Sequence, residues 1–128
     1  MAKVLIDTHI FLWAIAGDAR LTAAQRAVFE DGASELHLSV ASVWEILIKC
    51  GTGKMVLSVP AADFIHKHLD KNRIALLPLR MPHFAELEKL PPIHRDPFDR
   101  ILVAQARGEG MPVLTGDAKF ASYEVARV

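Results

Sequence analysis

KVLIDTHIFLWAI, residues 3–15, joins two apolar runs through a single acidic residue. The first run, residues 3–6, predicts a short buried strand, and residues 8–15 predict an apolar helix that breaks near Gly17. Asp7 stands at the junction between them. A strand that leads directly into a helix is typical of an α/β fold.

The same alternation of strand and helix continues along the chain. Further strands are predicted at residues 35–39, 74–79 and 112–115, with a last one at 124–128. Further helices are predicted at residues 22–31, 61–71 and 82–90, and from Asp96 to Arg107, ending at Gly108. Thr22 and Asp96 are the predicted caps of the first and the last of these helices. Another helix carries Glu45 and starts at Ser39 or Ser42, and Asp117 is expected to cap a short helical turn. We therefore predict one α/β domain over residues 1–128, with a mostly parallel sheet covered on both faces.

Composition excludes several classes of protein. The 15 basic and 15 acidic residues cancel, which argues against a generic basic nucleic-acid binder. Cys50 is the only cysteine, so an intrachain disulfide and a cysteine-rich zinc site are excluded. No apolar run is long enough to span a bilayer, and we expect a soluble, cytoplasmic protein.

Four acidic residues end or interrupt the apolar runs: Asp7, Glu45, Asp99 and Asp117. Acids beside core-forming segments are costly unless a positive charge pairs with them. If the fold brings them together, their repulsion calls for a cation, and oxygen ligands suit Mg²⁺ or Mn²⁺. If these four are set aside, 11 acidic residues remain against 15 basic ones, a modest excess for a polyanion.

Each acid also has a simpler structural interpretation. Asp7 and Asp117 could cap helices, and Asp99 could complement a helix dipole. Glu45 could pair with Lys49 one helical turn on, although its apolar neighbours suggest a buried position. Spacing alone does not decide whether the four acids meet.

Four short motifs occur in a distinctive order: LIDTH at residues 5–9, SVWEI at 42–46, HRDPFDR at 94–100 and LTGD at 114–117. Together they resemble the PIN-domain ribonucleases, specifically the VapC-like toxins of bacterial toxin–antitoxin pairs. The resemblance covers nearly the whole chain. Each motif is weak alone, but the ordered set is specific.

The resemblance implies a function and a set of site residues. It implies a three-layer α/β/α sandwich, usually a homodimer, and an antitoxin that blocks the acidic groove. The reaction would be hydrolysis of RNA with one or two Mg²⁺ or Mn²⁺ ions, in which water attacks and a 5′-phosphate results. The catalytic and metal-binding residues would be Asp7, Glu45, Asp99 and Asp117, supported by Asp96 and Thr115.

Three other classes of protein remain as alternatives. A haloacid-dehalogenase-like phosphatase also places an Asp after its first strand, but it needs a second Asp where this chain has His9. A phosphoacceptor receiver domain needs an Asp after a middle strand, and none follows residues 74–79. A non-catalytic α/β interaction module would use the acids only as helix caps.

Overall fold

A single parallel sheet forms the centre of the molecule. The computed structural model describes residues 2–93, 96–117, 120, 123 and 127. Its strands are β1 (Ala2–Ile6), β2 (Ser34–Ser39), β3 (Ala75–Leu77) and β4 (Val113–Leu114). They lie in the order β3-β2-β1-β4, and every pair of neighbours is parallel.

Helices connect the strands and cover the sheet: α1 (Thr8–Ala16), α2 (Ala23–Glu30), α3 (Val40–Gly51), α4 (Ala61–Lys71), α5 (Met81–Lys89) and α6 (Pro97–Glu109). Buried residues form two apolar clusters, one on each face of the sheet. Leu5 and Val113 pack with α6 on one face, while Ile6 and Leu38 pack with α1 and α4 on the other. Successive strand residues point to opposite faces, which explains the two clusters. The predicted α/β class is confirmed.

The strand register aligns the ends of β1 and β4. Ile6 pairs with Leu114, and the Asp7 backbone N–H donates to the Leu114 carbonyl oxygen at 3.1 Å. Ile6 also pairs with Leu38 near the end of β2. Because parallel strands end at the same edge, the residues after β1 and β4 lie side by side there.

Polar side chains fix where the helices begin. Thr22 and Gln25 form a reciprocal capping box at α2, and Asp96 caps α6. Ser39, rather than Ser42, caps α3 by accepting a hydrogen bond from the Ala41 N–H at 3.0 Å. The predicted caps at Thr22 and Asp96 are therefore confirmed, as is one of the two alternatives for α3.

The predicted end of α6 was wrong, because the helix continues through Gly108 to Glu109. A Cβ at Gly108 would lie 3.3 Å from His83, so this glycine makes room for α5 rather than ending the helix. The helix ends instead at Gly110, whose φ of 66° is left-handed.

Two other predictions fall partly on residues 118–119 and 124–128. In that last stretch only Arg127 is described, and it forms a parallel bridge with Val113. After Asp117, the Phe120 N–H donates to the Asp117 carbonyl oxygen at 3.2 Å, but the residues between them lie outside the described part. Across the described ranges, no helix combines the length and apolarity needed to cross a membrane.

Candidate active site

Asp7 is anchored at the edge of the sheet by both its backbone and its side chain. It is 3% exposed and directly follows β1. Its Oδ1 accepts a hydrogen bond from the Ile10 N–H at 2.8 Å, so the carboxylate caps α1. Asp7 therefore does cap a helix, as its simpler interpretation predicted. The same side chain also places a carboxylate in a buried position at the edge where the strands end.

Thr115 connects Asp7 with Asp117. Its hydroxyl donates a hydrogen bond to the Asp7 carboxylate and accepts one from the Asp117 backbone N–H at 3.0 Å. Asp117 is close enough for its negative charge to act on Asp7. The pairing of β1 with β4 thus joins two of the four predicted acids through a buried threonine.

The charge on Asp7 is poorly compensated. Burial raises the pKa of the Asp7 carboxyl above its ordinary value, and the negative charge of Asp117 acts in the same direction. Hydrogen bonds from Thr115 and Ile10, and the nearby His9, oppose this rise in pKa. The net rise means that the charged form of Asp7 is unfavourable as it stands, and a bound cation would favour it.

Glu45 is held on both of its oxygens. Oε1 accepts a hydrogen bond from the Thr8 hydroxyl at 2.7 Å, and Oε2 lies 3.0 Å from Lys49 Nζ. The Thr8 and Ser42 hydroxyl oxygens are 2.8 Å apart. A hydroxyl carries one proton and a carboxylate only accepts, so Ser42 donates to Thr8, which donates to Glu45. The alternative considered for Glu45, a pair with Lys49, is thus also present.

The burial of Glu45 does not come from its neighbour in sequence. Trp44 was expected in a buried helix but is 61% exposed, whereas Glu45 is 4% exposed. Successive helical residues are rotated by roughly 100° at 3.6 residues per turn, so the two side chains face in different directions. Glu45 faces Thr8 in α1, and Trp44 lies edge-on to Phe98 with 5.5 Å between the ring centroids.

Glu45 opens onto a cavity of about 610 Å³ between α3 and the start of α6. Asp96 and Phe98 form part of its wall, and basic side chains line it as well: His9, Lys49 and Lys54. Asp96 Oδ1 accepts the Phe98 N–H at 2.8 Å, so this acid also caps α6. Asp99 lies in the first turn of the same helix and is half-buried.

Five of the six predicted site residues therefore form two neighbouring groups. Asp7, Thr115 and Asp117 lie at the ends of β1 and β4, while Glu45 and Asp96 line the cavity. Thr8 joins the groups, because it follows Asp7 in sequence and donates to Glu45. Among the residues that the structure describes, no three acidic, histidine or cysteine side chains are already arranged to hold a metal ion.

Several polar residues of the site were not predicted from sequence. Thr8 was noted only as part of a motif, and Ser42 as part of a motif and as a possible start of α3. Neither His9 nor Lys54 was assigned to the site. Ser42 and Lys49 stand three residues before and four after Glu45, so helical spacing places all three on one face of α3. The contact with Thr8 has no such local signal, because it joins two elements.

Comparison with known proteins adds two findings. The family model described as the PIN domain matches residues 4–126. By sequence, no curated protein matches the chain.

Three similar solved structures share the fold. VapBC2 from Rickettsia felis, bound to a DNA fragment from its promoter, has a TM-score of 0.74 at 13% identity, covering 98% of this chain and 96% of that chain. VapC20 from Mycobacterium tuberculosis, a toxin that cleaves the sarcin-ricin loop, has a TM-score of 0.68 at 16% identity, covering 98% of each chain. FitAcB from Neisseria gonorrhoeae has a TM-score of 0.61 at 18% identity, covering 97% of this chain and 95% of that chain.

Proposed function

This chain belongs to the PIN domain family, and from that premise we propose that it is a metal-dependent endoribonuclease, the toxin of a toxin–antitoxin pair. One observation of its own carries the proposal. Asp7 is a buried carboxylate at the carboxyl edge of a parallel sheet, next to the negative charge of Asp117. Such an arrangement is unfavourable in an interaction module and useful in a site that binds a cation.

Mg²⁺ or Mn²⁺ fits the chemistry of these donors. Asp7, Glu45, Asp99 and Asp117 would hold it, and all of them offer carboxylate oxygens, the ligands that these ions prefer. A divalent cation bound there would make water easier to deprotonate and would stabilise negative charge on the phosphate. Asp7 and Asp99 are the ligands we propose to be direct.

The other polar residues position the acids and the substrate. Thr115 orients Asp7, and Thr8 orients Glu45. His9 and Lys54 line the cavity, where they would attract the phosphates of an RNA strand. Asp96 supports the site by fixing the start of α6. Water would be the nucleophile and the 3′-oxygen the leaving group, so one product would carry a 5′-phosphate and the other a 3′-hydroxyl.

The proposed partners are an antitoxin, which would block the cavity beside Glu45, and a second copy of the chain. Support for a protein partner comes from exposed apolar side chains on α3: Trp44, Leu47 and Ile48. Exposed apolar groups clustered on one surface are typical of interaction sites. Light scattering on the purified protein measures whether it is a homodimer. A cytoplasmic location belongs to the same proposal, since the RNA substrate is found there.

Cleavage of total cellular RNA by the purified protein tests this function. The reactions contain Mg²⁺, Mn²⁺ or a chelator, and they compare wild type with Asp99→Asn. Asp63→Asn is a matched control: Asp63 is the third residue of α4, as Asp99 is of α6, but it is exposed and does not line the cavity. We expect discrete fragments from wild type and from the control, only with metal, and none from Asp99→Asn.

Other outcomes have clear meanings. Absence of cleavage by well-folded protein free of antitoxin would favour a non-catalytic interaction module. Cleavage that persists in Asp99→Asn would point to a contaminant or to a different site.

A further inference from the structure

Lys49 lies where a divalent cation would approach Glu45. Its Nζ is 3.0 Å from Oε2, while Oε1 is occupied by the Thr8 hydroxyl. The Glu45 side chain is only 6% exposed, so little water can screen this contact. One oxygen of the buried carboxylate is therefore already matched with a positive charge.

Asp7, the other buried acid of the site, has a different environment from Glu45. Its charge is opposed by burial and by Asp117, and its hydrogen bonds come from an uncharged hydroxyl and a backbone N–H. Glu45 has a cation within hydrogen-bonding distance instead. The negative charge of Glu45 is thus compensated by a nearby ammonium group, and that of Asp7 mainly by uncharged hydrogen-bond donors.

A metal ion and the Lys49 ammonium would compete for the same oxygen. Two cations that both contact Oε2 would lie within a few ångströms of each other and would repel strongly at the low effective dielectric of a buried site. The Lys side chain is a flexible four-carbon stem, which allows it to move. Lys49 borders the 610 Å³ cavity and a second one of about 720 Å³, both of which also include His9 and Lys54, so there is space for the displaced ammonium.

We propose that Lys49 is an internal counter-cation, which neutralises Glu45 in the metal-free protein and leaves it when a divalent cation binds. The inference rests on the proposed function, because it assumes that Glu45 takes part in metal binding. It assigns to Lys49 a role beyond that of an ordinary helical ion pair: it stabilises the metal-free fold and lowers the affinity for metal.

The test is to remove the charge and measure metal binding directly. Lys49→Met keeps the unbranched stem of the side chain without the charged ammonium, and Lys49→Gln is a second neutral variant in case the first fails to fold. Lys54→Met is the matched control, since it removes an equal charge from both cavities but has no ion pair with an acid in the described ranges. Each protein is titrated with MnCl₂ by calorimetry, and its thermal unfolding is recorded with MnCl₂ and with chelator.

In chelator we expect Lys49→Met to unfold at a lower temperature than wild type. MnCl₂ should raise the unfolding temperature of Lys49→Met more than that of wild type. Its Mn²⁺ dissociation constant should be about tenfold lower than that of wild type, equivalent to ~1.4 kcal/mol. Lys54→Met should bind Mn²⁺ with nearly the affinity of wild type.

Two results would overturn the inference, and they are distinguishable. If wild type and Lys49→Met both bind Mn²⁺ with equal affinity, or the variant binds more weakly, Lys49 is a structural partner only and the proposed nuclease function stands. If no variant and no wild-type protein binds Mn²⁺, the metal site itself fails, and the counter-cation role fails with it.

Discussion

Replacement of Thr8 by Val should destabilise the protein because it breaks the link between α1 and Glu45. Val keeps the branched shape of Thr, so the packing around residue 8 changes little. It removes the hydroxyl that donates to Glu45 Oε1 at 2.7 Å, and Ser42 loses its partner at 2.8 Å. The effect should therefore report mainly on hydrogen bonding to a buried charge.

The magnitude follows from the burial of Glu45. A hydrogen bond to a charged group contributes about 1.5–3 kcal/mol, and the buried carboxylate oxygen left behind finds little water. We expect the free energy of unfolding to fall by about 2 kcal/mol. For a chain of this length the entropy of unfolding then predicts a Tm lower by roughly 7 °C.

Urea and thermal unfolding followed by circular dichroism measure this loss, with Thr8→Ser as the matched control. Ser keeps the hydroxyl and loses one methyl group, so it should cost only about 0.8 kcal/mol. In a Glu45→Gln background Thr8→Val should cost less, because the charged acceptor is gone. A Val variant no less stable than the Ser variant would refute the reasoning, as would equal losses in both backgrounds.

Substitutions of two acids, Asp7 and Asp96, separate their chemical roles from their structural ones. Asp7→Asn should abolish RNA cleavage while Asn still caps α1, and cleavage at the wild-type rate would contradict the role given to Asp7. Burial raises the folded-state pKa of Asp7 above 3.8, the ordinary value that the unfolded chain has. Metal-free wild type should therefore lose stability relative to Asp7→Asn as the pH rises from 3.8 through the folded-state pKa, and the two proteins should converge below pH 3.8. Urea unfolding in chelator between about pH 3 and pH 7 measures this difference. Asp96→Asn should keep both fold and cleavage, whereas Asp96→Ala should lose about 1 kcal/mol of unfolding free energy, as measured by urea titration. Complete loss of Mn²⁺ binding in Asp96→Asn would mean that Asp96 is a ligand.

The order of strands and helices was predictable because each element carries its own local signal. The apolar run before Asp7 and the Asp-Pro start of α6 depend only on neighbouring residues, and both elements are present. The end of α6 was missed because Gly108 lies close against His83 in α5, a contact that its local sequence does not reveal.

The site was less predictable than the fold. The acids stood out because a charge inside an apolar run is conspicuous, and parallel pairing of β1 with β4 accounts for Asp7 lying near Asp117. The contact between Thr8 and Glu45 depends on how α1 packs on α3, which no periodicity reveals. Trp44 suggested burial by its size, yet the rotation of the helix leaves it exposed.

The pairing of β1 with β4 also determines when the site can form during synthesis. Leu5 pairs with Val113, so β1 has to wait for a strand that is synthesised much later. Chains are synthesised from the amino terminus, and contacts between distant segments form late. A growing chain therefore stays without its Asp7–Asp117 pair until residue 117 has been translated. For the RNA-cleaving enzyme proposed above, this order of assembly would keep the site incomplete while residues 8–116 are being made.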